Sequence, residues 1–174
     1  PAKRLGTTVF NEEIVSVDFT QRPFKLAAGG GKSCTAGSVI AATGAQARWL
    51  GMPSEQKFIG KGVSGCATCD GFFFRGKEVC VVGGGDSAAE DALFLTKFAS
   101  KVYLVHRRDA LRATFRLVEK LRTNPKIEII FEHTPEEITG EAKVTGISLK
   151  NVKTGALRRL ETPGVFIAIG HTPA

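Results

Sequence analysis

No apolar run in this chain approaches the roughly 20 residues that a membrane-spanning helix needs, so no membrane partner is expected. A basic, then apolar, leader is missing from the N-terminus, which leaves the cytoplasm as the default setting. Close cysteine pairs are scarce: Cys34 and Cys80 stand alone, and only Cys66 and Cys69 are neighbours. A structural zinc site needs four ligands, usually with a second close pair, and the scattered His106, His133 and His171 do not supply it, so no metal is expected. The basic segments lack the interleaved aromatics on which bases stack, and nucleic acid is therefore not an expected partner despite a net charge of +7. No long internal repeat is present.

What is there describes a globular protein, 43% hydrophobic over 174 residues, enough for one good core or two small ones. Much of the positive charge is local, with Lys101, Arg107, Arg108, Arg112, Arg116, Lys120, Arg122 and Lys126 opposed there only by Asp109 and Glu119. The chain starts at Pro1 without an initiator Met and ends in the loop-like His171 to Ala174, as a piece of a longer protein would.

The chain is organised around Val79 to Glu90, where an apolar run breaks into Gly83, Gly84, Gly85, Asp86, Ser87, Ala88, Ala89 and Glu90. This pattern predicts strand, tight turn and helix. Gly83 suits a positive φ in the turn, Gly85 allows a pyrophosphate to approach the backbone, and Ala88 allows close helix-to-strand packing. The free N–H groups of the helix start attract phosphate. Glycine-rich turns are common, so the flanks decide. Ala88, Ala92, Leu95 and Ala99 recur at helical spacing, and Lys101 leads into a second strand, Val102 to Val105, which completes a βαβ unit.

The end of the second strand in such a unit meets the adenine ribose, where an NAD site places a carboxylate about 20 residues after the turn. Here stand His106, Arg107 and Arg108, with Arg112 following. Guanidiniums form paired, charge-assisted hydrogen bonds with a 2′-phosphate, so NADP is expected rather than NAD. Asp109 as a displaced ribose carboxylate is the competing assignment, disfavoured by its arginine neighbours.

Ahead of this unit, Thr8 to Phe19 and Arg22 to Ala27 predict strands, with a turn at Gly29 to Lys32. Ser38 to Ala42 predicts a small strand ending at Thr43, Gly44 and Ala45, and a domain boundary is placed at Phe58 to Val63. Cys66 and Cys69 with two residues between them can close a disulfide, supply half a metal site or lie buried; a reducing compartment favours redox work. Asp70 beside them suits proton transfer or, equally simply, a helix cap. Phe72, Phe73 and Phe74 suit a wall around a cofactor or the core. Downstream, Thr114 to Leu121 predicts a helix with Phe115, Val118 and Leu121 inward, and Ile127 to Phe131 predicts a buried strand. Val144 to Val152 and Leu157 to Glu161 predict a hairpin, and Val165 to Ile169 a last strand ending at Gly170.

Taken together, Cys66-Ala67-Thr68-Cys69-Asp70, Val81-Val82-Gly83-Gly84-Gly85-Asp86-Ser87-Ala88, His106-Arg107-Arg108-Asp109 and Ala168-Ile169-Gly170-His171 resemble the low-molecular-weight thioredoxin reductases. The resemblance covers essentially the whole chain. It implies an α/β architecture in which a Rossmann-like three-layer NADPH-binding domain is inserted between segments of an incomplete FAD-binding domain, the two linked by a pair of strands. The expected divisions are 1–62 for part of the FAD domain, 63–163 for the NADPH domain with its CxxC, and 164–174 for the return.

The same resemblance implies NADPH and FAD as cofactors, thioredoxin as partner and a homodimer in the full-length protein. It makes Cys66 the attacker of the protein substrate, Cys69 the cysteine facing the flavin and Asp70 the acid/base. It places Gly83 to Glu90, His106, Arg107, Arg108, Arg112, Ile169 and Gly170 on NADPH, Thr43, Gly44 and Ala45 near the flavin nucleotide, and a domain rotation at Phe58 to Val63. The family's early glycine-rich FAD turn and its later Gly-Asp segment are not in this chain, and Ala113, Thr114, Phe115 and Arg116 depart from the family's usual Ala, Ser, Lys, Ile. Two other readings remain open at this point. One is an NADPH-binding module without turnover, and the other is the flavoprotein reductase of a peroxide-reducing system.

Overall fold

The structure is a computed structural model that describes residues 2–173, so Pro1 and Ala174, the last residue of the loop-like ending, lie outside the described residues. The chain separates into two compact units, residues 1–43 and 44–174.

The first unit holds a three-stranded antiparallel sheet, β1 (Ile14–Asp18), β2 (Phe24–Ala28) and β3 (Ser33–Ala36), in sequential order. Only Ile14 to Asp18 of the predicted Thr8 to Phe19 run is strand, and the turn at Gly29 to Lys32 joins β2 to β3. Ser38 to Ala42 is not a strand: no ladder partner lies against it among the described residues, and Ile40 is 93% exposed.

The second unit begins with β4 (Ala45–Ala47), α1 (Pro53–Phe58), β5 (Val63–Ser64) and α2 (Ala67–Asp70). It continues through β6 (Glu78–Gly83), α3 (Asp86–Leu95), β7 (Lys101–Val105), α4 (Phe115–Thr123) and β8 (Ile127–Ile130). Strands β9 (His133–Gly140), β10 (Val144–Asn151), β11 (Leu157–Glu161), β12 (Gly164–Ala168) and β13 (His171–Pro173) complete it.

A parallel sheet in the order β5-β12-β6-β7-β8 forms the middle layer of this Rossmann-like α/β fold. Period-two alternation sends its side chains to two separate cores. Val79, Val81, Val102, Leu104 and Phe166 meet Ala88, Ala92, Leu95 and Leu121 on the helical side. Cys80, Val82, Val105, Val165 and Ile167 meet Ile138, Ile147 and Leu149 of the antiparallel sheet β11-β10-β9 on the other. Burial pushes the Cys80 thiol up to about 12, so this cysteine is an inert apolar residue of the core.

Several elements depart from the sequence expectation. Strand β9 was not expected, because Pro135, Glu136 and Glu137 hide its period; the ladder pairs Glu137 with Ser148 and Pro135 with Leu149, so a bulge at Glu136 accommodates the proline. His171 to Pro173 is strand rather than loop, held antiparallel to β4. Phe115 is 80% exposed at the start of α4, and the helix packs on the core through Leu117 and Leu121; Val118 lies with Phe115 along a surface depression.

The expected boundary at Phe58 to Val63 lies inside the unit, because both named residues are core, Val165 N donates to Gly62 O at 2.8 Å and Val144 N to Lys61 O at 3.0 Å. A Cβ on Gly62 would meet Pro163 O and Val144 Cβ at 2.7 Å, so the approach requires glycine there. A division at 163/164 likewise cuts through the parallel sheet, since β12 sits between β5 and β6.

One buried carboxylate ties the start of the second unit down. Glu55 is 0% exposed, and its two oxygens accept Leu50 N at 2.9 Å and Gly51 N at 2.8 Å. Glu55→Ala leaves both donors without a partner, and the expected cost is about 3 kcal/mol in urea unfolding. Glu55→Gln, which keeps one acceptor, is expected to lose less; equal midpoints for wild type and Glu55→Ala would show that solvent replaces the carboxylate.

Candidate nucleotide and redox sites

The carboxyl ends of β6, β7 and β12 open onto a cavity of about 470 Å³, the place where open α/β sheets bind ligands. Gly83, Gly84 and Gly85 form its floor, each for a different reason. Gly83 does not take the positive φ expected of it; a Cβ there would meet Ala168 O at 2.3 Å and Ala88 Cβ at 2.6 Å, so its role is to let β12 and α3 approach. A Cβ on Gly84 would fall 2.2 Å from His106 Nδ1. Around the Cβ position of Gly85, the residue before α3, there is open space, so a ligand can lie on the backbone at the helix start.

His106 leaves the end of β7 and is 6% exposed, with Nε2 buried and without a hydrogen-bond partner. Burial, followed by the Arg112, Arg108 and Arg107 guanidiniums, holds its pKa below the ordinary histidine value, so the imidazole is neutral at pH 7. A buried, orphaned ring nitrogen beside two cavity-lining arginines and an open helix start fits an anionic, hydrogen-bonding ligand.

Arg107 and Arg112 line this cavity with Ser87, Ile169 and Gly170, whereas Asp86, Ala88, Glu90 and Arg108 do not. Ala88 is fully buried under the glycine turn, and Arg108 is exposed. Arg112 N donates to Gly84 O at 2.7 Å, which brings the arginine loop to the turn. The sequence did not single out Arg48, Leu50, Met52, His133, Thr134 and Pro135, which form the opposite wall. Arg48 donates its backbone N–H to Gly170 O and its Nε–H to Thr172 Oγ1, next to the β4–β13 pair. The wall residues come from two stretches far apart along the chain, the one after β4 and the start of β9, so no linear signal marks them.

Cys66 and Cys69 form a disulfide at α2, apart from the residues that line this cavity. Cys66 precedes the helix, and its sulfur accepts Cys69 N at 3.2 Å and lies 3.4 Å from Thr68 Oγ1. Cys66 is half-buried and Cys69 exposed. Asp70 lines a second cavity of about 510 Å³ together with Lys61, Lys77 and Lys143. Of the three aromatics, Phe74 packs on Phe166, whereas Phe72 and Phe73 are 60% and 77% exposed in the turn that follows α2, Phe72 against Phe98. Gly44 has a φ of +82° with open space at its Cβ position, and Ala45 pairs with Pro173; neither lines the nucleotide-type cavity. Thr43 falls in the first unit.

The fold and these two sites define a Rossmann-like α/β protein whose parallel sheet opens onto a glycine-floored cavity and whose α2 carries a CxxC disulfide. A family model described as pyridine nucleotide-disulphide oxidoreductase matches residues 3–174, and the chain belongs to that family. Among curated relatives it is similar to a thioredoxin reductase of Rickettsia conorii, 51% identical across 99% of this chain and 56% of the relative. One from Streptomyces coelicolor is 44% identical across 99% and 53%. Among solved structures it is similar to a thioredoxin reductase from Giardia duodenalis, with a TM-score of 0.84, 43% identity and coverage of 98% of this chain and 56% of that one. The chain thus spans about half the length of the relatives it matches.

Proposed function

We propose that this chain is the nicotinamide-nucleotide and redox-disulfide portion of an NADPH-dependent thioredoxin reductase. The observation that carries this reading is the Cys66–Cys69 disulfide within the same compact unit as a glycine turn flanked by Arg107 and Arg112. In this reading the turn and the start of α3 would hold the pyrophosphate, Arg107 and Arg112 the 2′-phosphate, and His106 Nε2, an acceptor in the neutral ring, would take a hydrogen bond from a hydroxyl of the ligand. Arg108 adds charge from outside the cavity.

Bound FAD would supply two-electron chemistry between a nicotinamide and the disulfide. Two electrons and two protons convert the Cys66–Cys69 disulfide to a dithiol. The thiolate of Cys66, favoured by the donors around its sulfur, then attacks a disulfide of thioredoxin, and Cys69 displaces the mixed disulfide to restore the starting bond. Asp70 supplies or accepts the accompanying proton, and the exposed Phe72 and Phe73 offer apolar contact to the incoming protein.

The resemblance also places Thr43, Gly44, Ala45 and the first unit with the flavin. We read the β4–β13 ribbon as the strand pair that links the two domains, in place of the hinge expected at Phe58 to Val63, and the full-length protein as a cytoplasmic homodimer. The NADPH domain then takes in β5 through β12, rather than ending at residue 163. No helix among the described residues is long and apolar enough to cross a membrane.

The test is reduction of thioredoxin by the full-length, flavin-loaded protein with each nucleotide in turn. Turnover with NADPH and little with NADH is expected. Equal rates with both, or reduction of peroxide-system partners instead of thioredoxin, would overturn this assignment.

A further inference from the structure

We propose that Asp86 is a positioning residue whose carboxylate clasps the backbone N–H of Thr114 and so holds the arginine loop over the glycine turn. Thr114 N donates to Asp86 Oδ1 at 2.6 Å, a bond across 28 residues of sequence. Asp86 is the first residue of α3, and Thr114 is the residue before α4. The loop between His106 and Thr114 is therefore anchored at both ends. At the strand end, His133 N donates to His106 O and Glu132 N to Arg108 O. At the turn end, Arg112 N donates to Gly84 O and Thr114 N to Asp86 Oδ1.

The chemistry explains why an acid sits beside a phosphate site. A free carboxylate at the start of α3 would repel a dinucleotide, whereas one engaged with an amide donor has part of its charge satisfied and fixes the loop that binds the anion. Asp86 itself does not line the cavity, so it acts through Arg112 rather than on the ligand. Ordering that loop in advance removes a cost that binding would otherwise carry. The role rests on the NADPH reading above, and the experiment separates failure of one from failure of the other.

The probes are adenosine 2′,5′-bisphosphate and 5′-AMP, titrated calorimetrically into the 174-residue chain. Asp86→Ala is expected to weaken the 2′,5′-bisphosphate about tenfold, the effect of losing one hydrogen bond to a charged group, with 5′-AMP nearly unchanged. Asp86→Asn keeps the Oδ1 acceptor and is expected to restore the wild-type ratio of the two affinities. Thr114→Pro removes the donor without altering position 86, and the φ of −58° at Thr114 is one that proline adopts. It is expected to reproduce the Asp86→Ala ratio.

If Asp86→Ala leaves the ratio unchanged while Arg112→Ala lowers it, the clasp is overturned and the NADPH reading stands. If neither variant lowers it, the NADPH reading falls and the clasp with it. An Asp86→Asn variant that behaves like Asp86→Ala would make the charge, not the clasp, the operative feature and would also overturn the proposal.

Discussion

Cys69→Ser is expected to abolish turnover of thioredoxin in the full-length flavoprotein and to leave a covalent adduct of the two proteins. Cycling a disulfide needs both sulfurs: one attacks, and the other displaces the mixed disulfide. With Ser at position 69 the attack by Cys66 still occurs, but nothing releases the product. The sulfur of Cys66 receives an amide N–H at 3.2 Å and has the Thr68 hydroxyl 3.4 Å away, an environment that favours thiolate there. Cys66→Ser is expected to abolish turnover equally but to trap no adduct. Mass spectrometry under non-reducing conditions reads the difference. An adduct from Cys66→Ser instead would reverse the two roles. NADPH affinity is expected to be unchanged in both variants, because neither cysteine lines the nucleotide-type cavity; its loss would make the disulfide a structural brace.

The second large effect belongs to the arginines. Arg107→Ala combined with Arg112→Ala is expected to weaken NADPH about a hundredfold, since each exposed guanidinium contributes about 1.5 kcal/mol through a charge-assisted bond to phosphate. NADH, which lacks the 2′-phosphate, should be nearly unaffected. Arg108→Ala is expected to have the smaller effect, because its side chain lies outside the cavity that Arg107 and Arg112 line. Rising salt should weaken NADPH more than NADH in the wild type and much less so in the double variant. Equal loss for the two nucleotides would remove the 2′-phosphate from the account.

These expectations show where linear reading works. The βαβ unit was legible because its signals are local: an apolar strand, a glycine turn and alanines at helical spacing lie in one continuous stretch. The arginines after Val105 were legible for the same reason. The residues opposite them were not. Arg48, Leu50 and Met52 come from the segment between β4 and α1, and His133 to Pro135 come from a strand whose proline and two glutamates mask its period.

Errors at strands had a common origin. Ser38 to Ala42 has the composition of a strand but no partner among the described residues, while His171 to Pro173 has the composition of a loop and is paired. Pairing is a property of two segments, so neither outcome was written in one of them. Gly83 shows the same limit at a single residue: glycine was required, but by the approach of Ala168 and Ala88 rather than by a positive φ.

By itself, the sequence determined the α/β class, the glycine turn with its helix, the arginine cluster at the strand end and the spacing of Cys66 and Cys69, because each depends on residues near one another along the chain. Only the tertiary structure decided that β12 lies inside the parallel sheet, that Glu55 is a buried clamp, that Arg107 and Arg112 rather than Arg108 line the cavity, and that Asp86 reaches Thr114. Those features depend on packing and hydrogen bonds between distant segments, whose partners are chosen by the fold as a whole.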